Sequence, residues 1–210
     1  ICAGSVLWDI IGHVEVDLGF GQDKGGTIMR RPGGVAFNIS QKLSKLGLKP
    51  IMLSVIGQDA DGADLIEYCQ TLGLDMQYVH MSSKYATDCY MAIEDKKGLV
   101  AAVADVRCLE LEGYKILQPL QDGRLGSSEN PSNSVVILDG NLTSEQLSDM
   151  AISPFLSKCA LKLAPASSGK VDRLRVFSTH PSTVLYCNLC EANILSRQNY
   201  RNSLEASCGL

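Results

Sequence analysis

Arg31-Pro32-Gly33-Gly34-Val35-Ala36-Phe37-Asn38-Ile39 is the stretch on which the reading of this chain turns. Two adjacent glycines precede a strongly periodic segment. Val35, Ala36, Ile39, Leu43 and Leu46 fall within an arc of roughly 100° on one helical face. Gly47, directly after them, suits a left-handed helix cap. Gly33 and Gly34 therefore stand where a loop enters a helix. Backbone N–H groups are expected to be free there and side-chain bulk is absent, so a polar ligand can come close and meet the positive end of the helix dipole. Asn38, one turn in, offers that ligand a donor and an acceptor. A plain helix start with glycine for packing gives the same letters, so the neighbouring stretches decide.

Upstream, Asp9 ends an apolar first strand, Val6-Leu7-Trp8-Asp9-Ile10. Downstream, Val55-Ile56-Gly57-Gln58-Asp59-Ala60-Asp61-Gly62 reads as a strand running into an acidic, glycine-punctuated turn. Taken in this order, the three stretches resemble the ribokinase-like (PfkB) carbohydrate kinase family. The resemblance spans nearly the whole chain. It implies that Asp9 and the Gly33, Gly34 and Asn38 element bind sugar hydroxyls, and the Gly57-x-Asp59-x-x-Gly62 turn matches a family signature.

Composition sets the outer bounds. A chain of 210 residues, 45% hydrophobic and 20% charged, is long enough for one well-buried core. A net charge of −4 argues against a general nucleic-acid binder. No apolar run approaches the roughly 20 residues of a membrane span, and the start does not read as a signal peptide. The chain opens with Ile1, almost inside the first strand, which reads as a domain cut from a longer protein. The eight cysteines are irregularly spaced and mostly lie in apolar periodic segments, so they read as reduced, buried small hydrophobes and point to the cytoplasm. Cys187-Asn188-Leu189-Cys190 is a lone CxxC without a second pair or a nearby histidine, which argues against zinc and leaves a redox pair as the other reading.

Taken in order, residues 1–10 read as a strand. Val14, Val16 and Leu18 alternate with Glu15 and Asp17 like a half-exposed strand, and Thr27 to Arg30 follow after a glycine-rich turn. No helix joins these segments to the next element, so 11–32 form a ribbon standing off the main sheet. Helices are expected at 34–46 and 61–72, with strands near 50–56 and 76–81. Cys89 to Ile93 and Leu99 to Ala104 flank a polar, glycine-closed turn and form a hairpin, so 87–105 make a second ribbon. Thr87, Tyr90 and Asp105 stand at its ends, as substrate contacts or as ordinary strand-end polar residues. Residues 108–120 are helix-like. Ser134 to Leu138 reads as a buried parallel strand. Ligand crevices of open α/β sheets lie at carboxyl strand ends, which puts Asp139 and Asn141 at the mouth. A helix at 144–151, a strand at 159–164, a helix at 169–175, a strand at 183–187 and a mostly helical 192–208 complete the alternation. The fold class is α/β, a ribokinase-like three-layer α/β/α arrangement with a small β-sheet lid. The family resemblance makes the two ribbons a lid over the sugar, and the lid's apolar face is expected to support a homodimer.

Asn188-x-x-Glu191 looks like the family's Asn-x-x-Glu element, which implies a cofactor role for both residues: Glu191 near Mg²⁺ and both near the phosphates of ATP. A helix N-terminus with favourable Asn and Glu placement fits the same letters. The family's Gly-Ala-Gly-Asp loop, which supplies the catalytic base, falls beyond Leu210, so no catalytic base is assigned and this chain is expected to transfer nothing alone. The implied parent activity is ATP-dependent phosphorylation of a sugar or nucleoside hydroxyl. Pro32-Gly33-Gly34-Val35-Ala36-x-Asn38, Ala102-Val103-Ala104-Asp105 and Asp139-x-Asn141-Leu142 look most like pseudouridine kinases. A ribose- or fructose-type kinase, or a non-catalytic sugar- or nucleoside-binding form, are the alternatives.

Overall fold

A computed structural model describes residues 1–209. In chain order it contains β1 (Cys2–Ala3), β2 (Leu7–His13), β3 (Thr27–Gly33), α1 (Val35–Lys45), β4 (Met52–Leu53), β5 (Val55–Gly57) and α2 (Ala60–Thr71). Then come β6 (His80–Ser82), β7 (Cys89–Asp95), β8 (Gly98–Asp105), α3 (Arg107–Glu112), α4 (Gln118–Gln121), β9 (Val135–Asp139) and α5 (Ser144–Ala151). The chain continues through β10 (Ala160–Ala164), β11 (Thr183–Leu185), α6 (Leu189–Ser196) and α7 (Ser203–Gly209).

The central sheet is parallel and runs β11-β10-β9-β1-β4. Side chains alternate across it, and that alternation builds two cores. Cys2 and Met52 point to one face, where they pack with Ala36 and Phe37 of α1 and Leu65 and Cys69 of α2. Ala3, Leu53, Val136 and Leu138 point to the other, against Leu109 of α3, Leu120 of α4, and Leu147 and Met150 of α5. Helices thus cover both faces, giving the three-layer α/β/α arrangement read from the alternating pattern. Each fully buried large apolar side chain contributes about 1.5–3 kcal/mol relative to exposure.

The first strand differs from its expected form. The chain leaves the central sheet after Ala3 and restarts as β2 in a second sheet ordered β3-β2-β7-β8. Gly4 makes the break: its φ is +145°, and a Cβ there would fall 2.4 Å from Cγ of Asp139. Asp9 is therefore not the end of a core strand. It lies within the second sheet, opposite Arg31 of β3 and Tyr90 of β7. The segments expected to stand apart, 11–32 and 87–105, supply this sheet, although β2 ends at His13 and Val14 to Leu18 are not a strand. Instead Leu18 N donates to Asp95 Oδ2 at 3.1 Å, tying the two lid loops together.

Other elements break where backbone chemistry requires it. The single helix expected at 108–120 is α3, a 3₁₀ turn at Gly113–Lys115 and α4. A Cβ on Gly113 would lie 2.9 Å from Leu142, so the backbone passes close there, and Pro119 starts the next helix. The helix expected at 169–175 is 3₁₀ over Val171–Thr179. The one at 192–208 splits into α6 and α7 after Arg197 adopts a left-handed φ of 56°. Seven described cysteines are free, with Cys2, Cys69, Cys108 and Cys159 buried, and no Cys187–Cys190 bridge is present. No helix among the described residues is long and apolar enough to cross a membrane.

Candidate functional site

A cavity of about 350 Å³ lies between the lid sheet and the loops that follow β9 and β10. Asp9 and Tyr90 reach it from the lid, Gly34 and Asn38 from the start of α1, and Asn141 from the end of β9. Five of the sequence-predicted residues thus share one space. Register explains part of this. Asp9 pairs with Tyr90, and Tyr90 with Ala104, so their side chains stand on one face of the lid. Gly33 acts beneath that face: a Cβ there would sit 2.3 Å from Asp9 Oδ2. Glycine is what leaves room for the carboxylate. Asp9 is half-buried, and burial pushes its carboxyl above the ordinary range while Arg31, 3.8 Å away, pulls it back.

Behind the cavity, Asp139 organises the start of α1. It is fully buried rather than at the mouth. Its Oδ2 accepts from Ser5 N at 2.8 Å, Ser5 Oγ at 2.6 Å and Ala36 N at 3.1 Å, and its Oδ1 accepts from Asn141 N at 3.0 Å. Ser5 Oγ also accepts from Val35 N at 3.0 Å, and Ser5 O accepts from Phe37 N at 3.2 Å. The first N–H groups of α1 were expected to be free for a ligand. They are taken instead by Ser5 and Asp139, which satisfy the orphan donors of a helix start. Gly34, at φ +100°, brings the helix start onto Ser5, since a Cβ would fall 2.4 Å from Ser5 O.

Asp105 is not in this cavity. It grips Arg107 with Nε–Oδ1 at 2.8 Å and Nη2–Oδ2 at 2.6 Å, and lines a small hollow beside Tyr85. That fork holds its carboxyl below the ordinary range. Thr87 is buried and donates from Oγ1 to Asp59 Oδ1 at 2.6 Å, while Asp59 also caps α2 through Gly62 N. The signature turn therefore fastens α2 to the root of the β7–β8 hairpin. Next to it, Asp88 accepts from Cys108 N and Leu109 N at the start of α3, and burial pushes its carboxyl up to about 7.

Asn188 and Glu191 form a reciprocal capping box on α6: Asn188 N donates to Glu191 Oε2 at 2.8 Å, and Glu191 N to Asn188 Oδ1 at 2.9 Å. Asn188 lines a separate hollow with Tyr186 and Ala206. Among the described residues there is no group of three His, Cys, Asp or Glu side chains placed to hold a metal. Glu191 brings one carboxylate, with one oxygen already bonded, so these residues alone do not fit a magnesium site. A further hollow of about 710 Å³ flanks edge strand β11, lined by Leu163, Phe177 and Leu195, and adjoins the Asn188 hollow at Leu185 and Cys187.

Sequence reasoning missed Ser5, Lys170 and Ser167. Ser5 links a buried carboxylate to α1 across a separation of 134 residues, which no local pattern reveals. Lys170 and Ser167 follow β10 and line the cavity. The strand-end rule that pointed to Asn141 after β9 would have found them if applied to β10 as well.

The family profile described as pfkB family carbohydrate kinase matches residues 2–114. The uncharacterized sugar kinase YeiI of Escherichia coli is 30% identical over 148 residues, covering 70% of this chain and 39% of that protein. Pseudouridine kinase of the same organism is 29% identical over 107 residues, covering 50% of this chain and 34% of its own length. The structure of Arabidopsis thaliana ribokinase complexed with ribose and ATP superposes with a TM-score of 0.71 at 15% identity, covering 99% of this chain and 65% of that one. The chain thus spans less than two fifths of the curated relatives it matches and about two thirds of a solved neighbour. The profile takes in more than half of the chain, including the glycine pair, the lid strands and the Asp59 turn, and on that match the chain belongs to the pfkB family of carbohydrate kinases.

Proposed function

We propose that the cavity is the acceptor site of an ATP-dependent kinase acting on a hydroxyl of a sugar or nucleoside, with pseudouridine the favoured substrate. One observation carries this reading: Asp9, Asn38, Tyr90 and Asn141, from four separate elements, converge on one space of about 350 Å³ under a β lid. A carboxylate and two amides suit a polyol, because each hydroxyl can donate to Asp9 and accept from an amide. The site residues in this proposal are Asp9, Gly34, Asn38, Tyr90 and Asn141 at the ligand, with Gly33 and Asp139 holding the frame. The pseudouridine preference is supported by the sequence match to a pseudouridine kinase.

ATP is the proposed phosphoryl donor, on the likeness to a ribokinase solved with it. Asn188 and Glu191 are proposed to face its phosphates. Magnesium would have to travel with those phosphates, because Glu191 supplies a single, already bonded carboxylate. Phosphoryl transfer is mostly positioning and charge stabilisation. The lid and strand ends here position an acceptor, and none of the described residues is assigned as the base. Free cysteines suit a reducing compartment, so the cytoplasm is the proposed setting.

The test is an ATP-dependent phosphorylation assay on pseudouridine, ribose and fructose, run with this chain and with a longer protein containing it. The longer protein is expected to turn over pseudouridine and the 210-residue chain to be inactive. Comparable turnover by both would mean the catalytic machinery has been misplaced. Inactivity of both, with retained binding, would favour the non-catalytic reading.

A homodimer through the lid belongs to the same proposal. Ile28, Met91, Ile93 and Val103 share the lid face opposite Asp9, and Ile28 and Val103 are 81% and 71% exposed. Several exposed apolar side chains on one sheet face suit an interaction surface. Sedimentation velocity should show a concentration-dependent dimer that Val103→Asp abolishes. A monomer at all concentrations would remove the dimer from the proposal.

A further inference from the structure

We propose that Lys170 sets the specificity of the cavity by donating to a hydrogen-free acceptor oxygen, a carbonyl or carboxylate, on the substrate. The inference rests on reading the cavity as a sugar or nucleoside site and names the chemistry that site selects. Lys170 stands on the turn after β10, half-buried, and lines the cavity together with Ser167. Its ammonium carries three donors, and the structure uses one, to Asn141 Oδ1 at 2.9 Å. Among the described residues no carboxylate lies within ion-pairing distance of it.

Its neighbour three residues on shows the contrast. Arg173 donates to the carbonyl oxygens of Asn141 and Leu142 at 3.3 and 3.0 Å and lies 3.7 Å from Glu110. Arg173 is therefore a satisfied structural cation.

The acceptor that holds Lys170 is itself fixed. Asn141 Nδ2 donates to Ser5 Oγ at 2.8 Å, and Ser5 Oγ donates to the buried Asp139 at 2.6 Å. The chain Asp139–Ser5–Asn141–Lys170 thus runs from the core to the cavity wall and leaves two of the ammonium's donors without a protein partner among the described residues. Keeping a partly desolvated cation without a directly paired carboxylate costs stability, which argues for a partner supplied from outside. Burial first, and Arg173 second, lower its pKa, while the carboxylates of Glu110, Asp139 and Asp88 offset part of that fall.

The cavity is therefore asymmetric. Asp9 on the lid wall accepts from hydroxyls, and Lys170 on the strand-end wall donates. A bare pentose offers hydroxyls to both. A pyrimidine-type base or a sugar acid offers oxygens that can only accept, and these gain most from Lys170. The two sources of such an oxygen, ring carbonyl and carboxylate, are separated by the ligands tested.

The experiment is titration calorimetry of this chain with ribose, pseudouridine and ribonate, using wild type, Lys170→Met and Lys170→Arg. Wild type is expected to bind an acceptor-bearing ligand more tightly than ribose. Lys170→Met should weaken that ligand at least tenfold and leave ribose within twofold, and Lys170→Arg should restore part of the loss. Selective loss of pseudouridine assigns a carbonyl, and selective loss of ribonate a carboxylate. The wild-type preference should also fade at alkaline pH as the ammonium deprotonates, and Lys170→Met should lack that profile. Equal weakening of all ligands would make Lys170 a prop for Asn141 and overturn the proposal. Unchanged affinities would overturn it too, while leaving the cavity reading intact. Wild type binding none of the three would overturn the cavity reading and this inference together.

Discussion

Replacing Asp139 with alanine is expected to cost about 4 kcal/mol of folding stability, a large part of the 5–15 kcal/mol typical of a native domain. The carboxylate is fully buried and accepts from Ser5 N, Ser5 Oγ, Ala36 N and Asn141 N. Hydrogen bonds to a charged group contribute about 1.5–3 kcal/mol each, and each buried donor left without a partner costs about 1–3 kcal/mol. These terms are not additive, because the backbone can shift by fractions of an ångström and Ser5 Oγ can rotate. Three backbone N–H groups cannot escape so easily. Asp139→Asn keeps the volume and one acceptor but turns an NH₂ toward donors, so a loss of about 2 kcal/mol is expected. Urea denaturation reads both: the midpoint should fall in the order wild type, Asn, Ala with an unchanged slope. A loss below about 1 kcal/mol for the alanine variant would show that Asp139 does not hold the helix start in place.

That residue also marks how far the sequence could be read. Asp139 and Asn141 were picked out by one rule, that strand carboxyl ends line the crevice. Asn141 lines it, but Asp139 sits behind it. The difference is made by Gly4 and Ser5, which lie more than 130 residues away and bring a backbone N–H and a hydroxyl onto the carboxylate. Periodicity gave the two long helices α1 and α2 to within one residue at each end, because apolar spacing records which face is buried. It failed at the first strand, where ten apolar-rich residues belong to two sheets and the break depends on one glycine's positive φ. It failed again at 169–175, where a short apolar spacing fits a 3₁₀ segment as well as an α-helix. The Asn188 and Glu191 pair was legible as a motif, and the structure gives it the helix-start geometry that the letters also allowed.

Asp9→Ala is expected to weaken binding of the cavity's sugar or nucleoside ligand by roughly 10- to 100-fold, the equivalent of about 1.5–3 kcal/mol for lost charge-assisted hydrogen bonds. Gly33→Ala should reproduce much of that loss without touching the carboxylate chemically. Its new Cβ would come within 2.3 Å of Asp9 Oδ2, so the side chain must swing away from the space it shares with Asn38 and Tyr90. Asp9→Asn, which retains one acceptor, should fall between wild type and alanine. Stability should move the other way. Burial raises the Asp9 carboxyl above its unfolded value, with Arg31 offsetting part of the rise, so the folded state binds this proton more tightly than the unfolded state. The proton-linked contribution of Asp9 is then fully present below the ordinary carboxylate range and is lost as pH rises through the raised folded value. Near neutral pH wild type therefore carries a charge that folding disfavours, and Asp9→Asn should be as stable as wild type or slightly more so, with the two converging in acid. Calorimetric affinities and thermal midpoints measured on the same samples, at neutral and acid pH, test both halves. An Asp9→Ala protein that binds ligand like wild type would remove Asp9 from the site. A parallel loss of stability and affinity would instead make Asp9 a structural partner of Arg31.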